Sequence, residues 1–282
     1  MKKQELSLEM SNVKTVIKVS HVSQSYGSYQ VLNDISFEVY KGEILGLLGM
    51  NGAGKTTTLE CLEGFLKYEG NISIDGQIAI QSQNESLPAY MKVSEAITLF
   101  SKWKKASLEP QLLKALDLLS IMNKQYQQLS TGQKRRLHLA LALIGQPDIL
   151  ILDEPTAGLD VAGRFALHQI IRQLQKKGVT IVIASHDMNE VESLCQRIGI
   201  LKQGKMVFLG TLEDFTLYMG KCYRIKVITQ EGENLYTTQD VRQTLSQILD
   251  SYQKQNLEIL DMNVSRGTLE QHFISMAGGI EK

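Results

Sequence analysis

Residues 43–65 read EILGLLGMNGAGKTTTLECLEGF, and this segment decides the fold. Its first six residues form an apolar run typical of a buried strand, and its last ten are typical of a helix. Between them, residues 49–56 satisfy the pattern G-x-x-x-x-G-K-[ST] in full. A strand, a glycine-rich loop and a helix in this order predict a phosphate-binding loop in an open α/β sheet.

This loop has the chemistry that a nucleotide needs. Its glycines let successive backbone N–H groups face one concavity, and the N-terminus of the following helix adds partial positive charge. A lysine at position 55 supplies a full charge to the β- and γ-phosphates, and the hydroxyl of Thr56 is suited to Mg²⁺. The predicted nucleotide-binding residues here are Gly49, Met50, Asn51, Gly52, Ala53, Gly54, Lys55, Thr56 and Thr57.

Two more apolar runs end in polar side chains. Residues 149–152 precede Asp153 and Glu154, and residues 179–184 precede Ser185 and His186. Because ligands of open parallel sheets lie beyond the carboxyl ends of the strands, we expect these residues near the phosphate loop. Asp153 is suited to the Mg²⁺ hydration shell, and Glu154 to orienting or deprotonating a water. His186 is expected either to contact the γ-phosphate or to hold Glu154 and the water in place.

The composition excludes several other classes. The chain has 30 Lys and Arg against 30 Asp and Glu, so no overall field favours nucleic acid or an anionic membrane. Cys61, Cys195 and Cys222 are too few and too dispersed for a disulfide framework or a zinc site, which favours a reducing cytosol. No apolar run reaches the roughly 18 residues of a membrane span, so no direct membrane insertion is expected.

The rest of the chain alternates strand and helix patterns. Residues 16–39 predict antiparallel strands, residues 70–80 a strand hairpin, residues 93–119 helices, and residues 198–209 a closing hairpin. Apolar residues at i, i+3, i+4 and i+7 predict an amphipathic helix through Leu137, Ala140, Leu141 and Ile144, stopped by Gly145 and Pro147. A further helix is predicted near residues 162–177.

From about residue 221 the pattern changes. Two strand-like pieces, CYRIKVI and ENLYTT, precede a helix (DVRQTLSQILDSYQK), a strand (LEILDMNV) and a last helix (TLEQHFISMA). The sequence therefore predicts a small α+β appendage.

The stretch LSTGQKRR, residues 129–136, has two readings. Ser130 and Gln133 have the spacing of a helix capping box. The same stretch is also suited to be half of a nucleotide site, because an exposed helix N-terminus attracts phosphate.

Taken together, these motifs resemble the nucleotide-binding domain of ABC (ATP-binding cassette) ATPases over residues 16–212. The matching elements are Walker A at 49–56, the signature at 129–133, Walker B at 149–153 with Glu154, the D-loop at 157–160 and the H-switch at His186. The resemblance implies ATP hydrolysis with Mg²⁺. It also implies a P-loop NTPase (RecA-like) core with an N-terminal antiparallel β-subdomain and an inserted helical subdomain at about 87–145. We expect a domain over residues 15–220 and an α+β extension over 221–282.

The resemblance assigns further site residues. Tyr26 matches the aromatic residue that stacks on adenine, and Gln83 matches the glutamine that touches Mg²⁺ and the attacking water, with Gln81 as a rival. Ser130, Gly132 and Gln133 match the signature that contacts phosphate, and Asp160 closes the D-loop. Thr131 stands where the family more often has glycine, so its backbone must suit a β-branched residue.

The resemblance also implies partners. Two cassettes of this family dimerise head to tail, as a homodimer or a heterodimer, and each ATP lies between one P-loop and the other signature. A separate transmembrane permease is expected to dock near residues 87–100, with Leu87, Tyr90, Met91 and Val93 as apolar anchors or as core residues. The chain would then be cytoplasmic and peripheral on the inner face of the cell membrane.

The C-terminal tail resembles extensions of ATPase subunits of bacterial ABC-2 type exporters, which favours export without naming a cargo. Two alternatives stay open. One is a soluble ABC ATPase that drives assembly or remodelling, for example of iron–sulfur clusters. The other is a weakly hydrolysing module that senses ATP.

Overall fold

The chain folds around a six-stranded sheet, and a computed structural model describes residues 14–82, 86–218, 223–238, 240–255, 257–266, 269–270 and 273. The strands of this part are β1 Thr15–Tyr26, β2 Tyr29–Tyr40, β3 Ile44–Leu48, β4 Glu69–Ile74, β5 Ile78–Gln81, β6 Ile149–Asp153, β7 Thr180–Ser185, β8 Arg197–Lys202, β9 Lys205–Thr211, β10 Tyr223–Thr229, β11 Gly232–Thr238 and β12 Ile259–Arg266. The helices are α1 Lys55–Leu62, α2 Val93–Lys104, α3 Pro110–Ala115, α4 Thr131–Leu143, α5 Val161–Lys176, α6 Met188–Leu194, α7 Leu212–Tyr218 and α8 Val241–Lys254.

The main sheet has the strand order β5-β6-β7-β3-β8-β9. Strands β5, β6, β7, β3 and β8 run parallel, with Asp153 beside Ala184 and Leu48 beside Ser185. Every residue of β3, β6 and β7 is buried, because apolar side chains on both faces suit a central parallel strand. The predicted buried strands and the α/β fold class are confirmed, and the carboxyl ends of β3, β6 and β7 share one edge.

A second sheet, of order β2-β1-β4, is antiparallel and confirms the predicted N-terminal β-subdomain. The hairpin predicted over residues 70–80 is wrong. Strand β4 pairs with β1 in this sheet, whereas β5 pairs with β6 in the main sheet. The chain crosses between the sheets at Gly76, and the Gln77 N–H donates to Asp148 Oδ2 at 2.8 Å. The local turn pattern favours a hairpin, but pairing with the buried strand β6 removes the apolar side chains of β5 from water, which favours the observed arrangement.

The inserted helical segment consists of α2, α3, two short 3₁₀ turns and α4, as expected for this fold class. Helix α4 begins after Ser130 and ends before Gly145, whose φ of 94° stops the helix. All residues from Leu137 to Leu143 are buried, so its apolar surface is wider than the predicted stripe. The second half of α4 is therefore a core helix.

The chain divides into two units between Leu209 and Gly210, while the sequence predicts a domain boundary at residues 220 and 221. The second unit contains an antiparallel sheet of order β11-β10-β12. Its core is formed by Ile225 and Val227 of β10 with Ile248 and Tyr252 of α8, which agrees with the predicted α+β appendage. Most of the predicted last helix, TLEQHFISMA, lies outside the described residues.

Helices capable of crossing a membrane are absent from the described part of the chain, because none combines sufficient length with sufficient apolar character.

The turn between β8 and β9 supports the phosphate loop through Gly204. Its N–H donates to Ala53 O at 3.1 Å, and its carbonyl accepts from Asn33 N at 2.8 Å. Its φ is 74°, and a Cβ at this position would collide with the Val31 carbonyl. This turn therefore requires glycine for both its conformation and its close approach to β2.

We predict that Gly204→Ala lowers the melting temperature at least twice as much as Gly178→Ala. Gly178 also has a positive φ, of 93°, but a Cβ there would meet open space. The control should therefore lose only the roughly 1–2 kcal/mol of left-handed strain, about 2–8 °C. Thermal melts of the two variants make the measurement. Equal losses would show that the contact with Val31 has no importance.

Candidate functional site

The phosphate loop joins the end of β3 to the start of α1. Gly52 and Gly54 adopt φ of 80° and 105°, which favour glycine, and a Cβ on Gly54 would lie 2.6 Å from Leu32 Cδ2. The loop forms a cavity of about 260 Å³ with Glu154, His186 and Val31 in its walls. The structure thus brings the predicted residues of three strand ends together, and it adds Val31 of β2, which no sequence motif indicated.

Lys55 lies in this cavity with only 7% of its surface exposed. Its Nζ donates to Gly49 O at 2.7 Å and lies 3.7 Å from Glu154 Oε1. Burial lowers the pKa of Lys55, while the neighbouring carboxylates Glu154 and Asp153 act in the opposite direction. A partly desolvated ammonium gains from further negative charge, so this position is suited to a phosphate.

Thr56 and Asp153 form the second part of the site. The Thr56 hydroxyl donates to Asp153 Oδ2 at 3.1 Å. Asp153 Oδ1 is buried and has no hydrogen-bond partner among the described residues. Burial also raises the pKa of Asp153. A hydroxyl beside a buried carboxylate with a free oxygen is a donor set that fits a hard divalent cation such as Mg²⁺.

Glu154 and His186 form the third part. His186 Nδ1 lies 2.9 Å from Glu154 Oε1 and 2.8 Å from Oε2, so the ring contacts both carboxylate oxygens. Glu154 has a φ of 49°, and its N–H donates to Ala184 O of β7 at 2.9 Å. A left-handed glutamate is strained, which is common where function fixes a side chain. The pair can orient a water and accept its proton.

The signature stretch lies in another cavity. Ser130 Oγ accepts from Gln133 N at 3.3 Å, and Gln133 Oε1 accepts from Ser130 N at 3.1 Å, which confirms the capping box. Ser130 and Gly132 line a cavity of about 510 Å³ with Asp160, which caps α5 by accepting from Gly163 N at 2.7 Å. This cavity shares no lining residue with that of the phosphate loop.

Thr131 fits its position without backbone strain. It is the first residue of α4, and it is not among the described residues with positive φ. Helical φ and ψ are open to a β-branched side chain. The departure from glycine at this position is therefore tolerated.

The structure does not place the remaining predicted residues, Tyr26, Gln83 and its rival Gln81, in the wall of the phosphate-loop cavity. Tyr26 ends β1, half exposed, and its hydroxyl donates to Glu60 Oε2 of α1 at 3.5 Å, but Tyr26 does not line the phosphate-loop cavity. Gln83 lies outside the described residues. Gln81 is fully buried, and its Nε2 donates to Arg135 O of α4 at 3.3 Å, so its amide faces the helix.

An apolar groove of about 460 Å³ lies beside Leu87. Its walls include Phe65, Phe100 and Trp103, and the exposed fractions of Phe65 and Trp103 are 76% and 73%. Of the residues expected to be docking anchors or core residues, Val93 is a core residue, since it is fully buried as the first residue of α2. The predicted docking range of residues 87–100 includes Phe100, whereas sequence reasoning missed Phe65 and Trp103. The i, i+3 spacing of Phe100 and Trp103 places these two on one helix face.

Comparisons with known proteins agree with this geometry. The sequence profile of the family described as ABC transporter matches residues 32–157. An uncharacterized ABC transporter ATP-binding protein of Methanocaldococcus jannaschii is 40% identical over 209 residues, which cover 72% of this chain and 80% of that protein.

Two further matches have more specific descriptions. The Nod factor export ATP-binding protein I of Rhizobium johnstonii is 38% identical over 213 residues, covering 69% of this chain and 68% of the relative. A solved structure of the ATP-binding subunit of an ABC transporter is 28% identical, with a TM-score of 0.65. It covers 71% of this chain and 92% of the solved chain.

We predict that Asp153→Asn raises the melting temperature at neutral pH by about 2–4 °C, since it removes a buried charge with an unpartnered oxygen. Because burial raises the pKa of Asp153 above its ordinary 3.8, the folded chain holds this proton more tightly than the unfolded chain. The stability cost of Asp153 therefore grows as pH rises through that window. The gain in the variant should shrink as pH falls from 7 toward 4.

The control is Asp250→Asn on the exposed face of α8, which should change the melting temperature little at either pH. Melts at several pH values in metal-free buffer make the measurement. A lower melting temperature for Asp153→Asn at neutral pH would contradict this account of the carboxylate.

Proposed function

We propose that this chain, which belongs to the ABC transporter family, is the ATP-hydrolysing subunit that energises an exporter. The observation behind this proposal is that Lys55, Thr56, Glu154 and His186 line one cavity, while the buried Asp153 joins them through its hydrogen bond with Thr56. Such a set provides phosphate binding, a cation site and a general base, the parts that phosphoryl transfer needs. The name of the Nod factor export relative favours export.

The cavity supports roles for several residues. Lys55 and the N-terminus of α1 hold the β- and γ-phosphates of ATP. Thr56 and Asp153 would hold Mg²⁺, which when bound neutralises phosphate charge. The roles of Tyr26 in stacking on the adenine and of Gln83 in contacting Mg²⁺ rest on the family resemblance. Glu154 accepts the proton of the attacking water, and His186 fixes the Glu154 carboxylate through its Nδ1 contact.

The separate cavity of Ser130 and Gly132 supports a dimer. These residues and Gln133 lie at a capped helix N-terminus whose partial positive charge attracts phosphate. Because they share no cavity with Lys55, we assign them to the ATP of a second cassette, either a copy of this chain or a similar subunit. Asp160 lies in the same cavity and completes this half of the site.

A permease is the proposed occupant of the aromatic groove. ATP-binding subunits of ABC transporters act with membrane permeases, and an amphipathic helix fits a groove lined by apolar side chains. Phe65 and Trp103 are large aromatic residues left exposed, as is common at binding surfaces. Docking there would hold the chain on the inner face of the cell membrane. The assembly and sensing alternatives are not favoured, because the relatives are named as transporter proteins.

We predict that the wild-type chain hydrolyses ATP and that Glu154→Gln slows hydrolysis at least 100-fold, since it removes the general base. The variant should still bind ATP and accumulate as a dimer. Phosphate release and light scattering after gel filtration measure the two effects. Lys55→Ala is the matched control and should form no ATP-dependent dimer. Hydrolysis by Glu154→Gln at the wild-type rate would exclude the assigned role.

We predict that Trp103→Glu reduces recovery of the permease at least tenfold, because it places a charge in an apolar contact. The measurement is the amount of polytopic membrane protein that copurifies with the tagged chain from detergent-solubilised membranes. Leu119→Glu, at another exposed apolar position, is the control and should retain wild-type recovery. Equal recovery with both variants would place the permease elsewhere.

A further inference from the structure

Strand β5 of the main sheet ends in a buried glutamine. Strand β5 reads IAIQ, and its last residue, Gln81, is 0% exposed. Gln81 pairs with Leu152 of β6, and both side chains are buried even though β5 is an edge strand of the main sheet. Burial of an amide costs free energy unless all of its polar atoms find partners.

Gln81 satisfies only part of this requirement. Its Nε2 donates to the carbonyl of Arg135 in α4 at 3.3 Å, a long hydrogen bond. Its Oε1 is buried and has no partner among the residues that the structure describes. A buried acceptor without a partner costs free energy, so an apolar residue of similar volume would suit stability better. Polar groups kept at such a cost are typical of functional positions.

The contact joins three parts of the site. Helix α4 begins after Ser130, so Arg135 lies in its second turn. Strand β6 ends one residue after Leu152, at Asp153, and Glu154 follows it. The chain after β5 leads through Ser82, whose carbonyl accepts from Arg135 Nη1 at 3.5 Å. Two hydrogen bonds therefore connect the end of β5 and the residue after it to α4, the helix that begins in the signature stretch.

We propose that Gln81 is a positioning residue whose amide holds α4, and with it Ser130 and Gly132, in register with Asp153 and Glu154. This inference rests on the proposed ATP hydrolysis in a dimer. One long hydrogen bond is weak enough to break when α4 moves, yet it favours one orientation of the helix. Gln81 does not line the phosphate-loop cavity, so replacing Gln81 affects closure of the dimer and turnover rather than ATP binding.

The test is Gln81→Met, which keeps the side-chain volume and removes both polar atoms. We expect kcat for ATP hydrolysis to fall at least fivefold, KM for ATP to change less than twofold, and the melting temperature to stay or rise. In the Glu154→Gln background, ATP-dependent dimerisation should need at least fivefold more ATP. Leu139→Met is the matched control, because it is a volume-conserving change of a buried residue one helical turn after Arg135 in α4. It should retain the wild-type kcat.

The outcomes separate this inference from the proposed function. Absence of hydrolysis by the wild-type chain would overturn the proposed function, and the inference with it. Hydrolysis by the wild type with an unchanged kcat in Gln81→Met would overturn the inference alone. A lower melting temperature with loss of ATP binding would also overturn it, because the amide would then be structural. Gln81→Leu repeats the test. Failure of both variants to fold would also show that the amide is structural and would overturn the inference.

Discussion

The parallel pairing of β3, β7 and β6 is the constraint on which the site depends. It aligns Leu48 with Ser185 and Asp153 with Ala184, so three strands end at one edge of the sheet. Residues separated by about 100 positions in the chain thereby meet in one cavity. A shift by one residue would move Asp153 along its strand and turn its side chain to the opposite face of the sheet, so the site requires this register.

This edge concentrates charge at a cost in stability. Lys55, Asp153 and Glu154 are all buried, and burial lowers the pKa of Lys55 and raises that of Asp153. Glu154 adds a left-handed backbone. The fold tolerates the buried charges and the strained backbone of Glu154 because the surrounding strands are apolar and fully buried. The same desolvation strengthens the electrostatic attraction that a phosphate or a cation meets in this cavity.

The local motifs could be predicted from the sequence, whereas long-range pairings could not. The strand, loop and helix around Lys55, and the capping box of Ser130 and Gln133, depend on neighbouring residues and were expected correctly. Residues 70–80 suggested a hairpin, but the partner of Ile78 is Ile149, and no local pattern indicates a partner that far along the chain. The site assignments, those for Tyr26, Gln83 and Asp160 included, stay predictions.

The exact lining of the groove could not be predicted for a related reason. An apolar residue such as Val93 has the same pattern whether it faces solvent or the core, and contacts from distant segments decide between them. Trp103 and Phe65 were overlooked because they lie far apart in sequence and meet only in the folded chain.

The two readings of LSTGQ are compatible, and their compatibility bears on how ATP binding is coupled to movement. Ser130 Oγ uses a lone pair to accept from Gln133 N, which leaves the hydroxyl proton to donate to a phosphate. A cap that also serves as half of a site keeps its geometry without ligand, so binding there requires little ordering. In the proposed dimer, the γ-phosphate contacts both half-sites only in the closed state. Its removal abolishes that differential contact and favours opening.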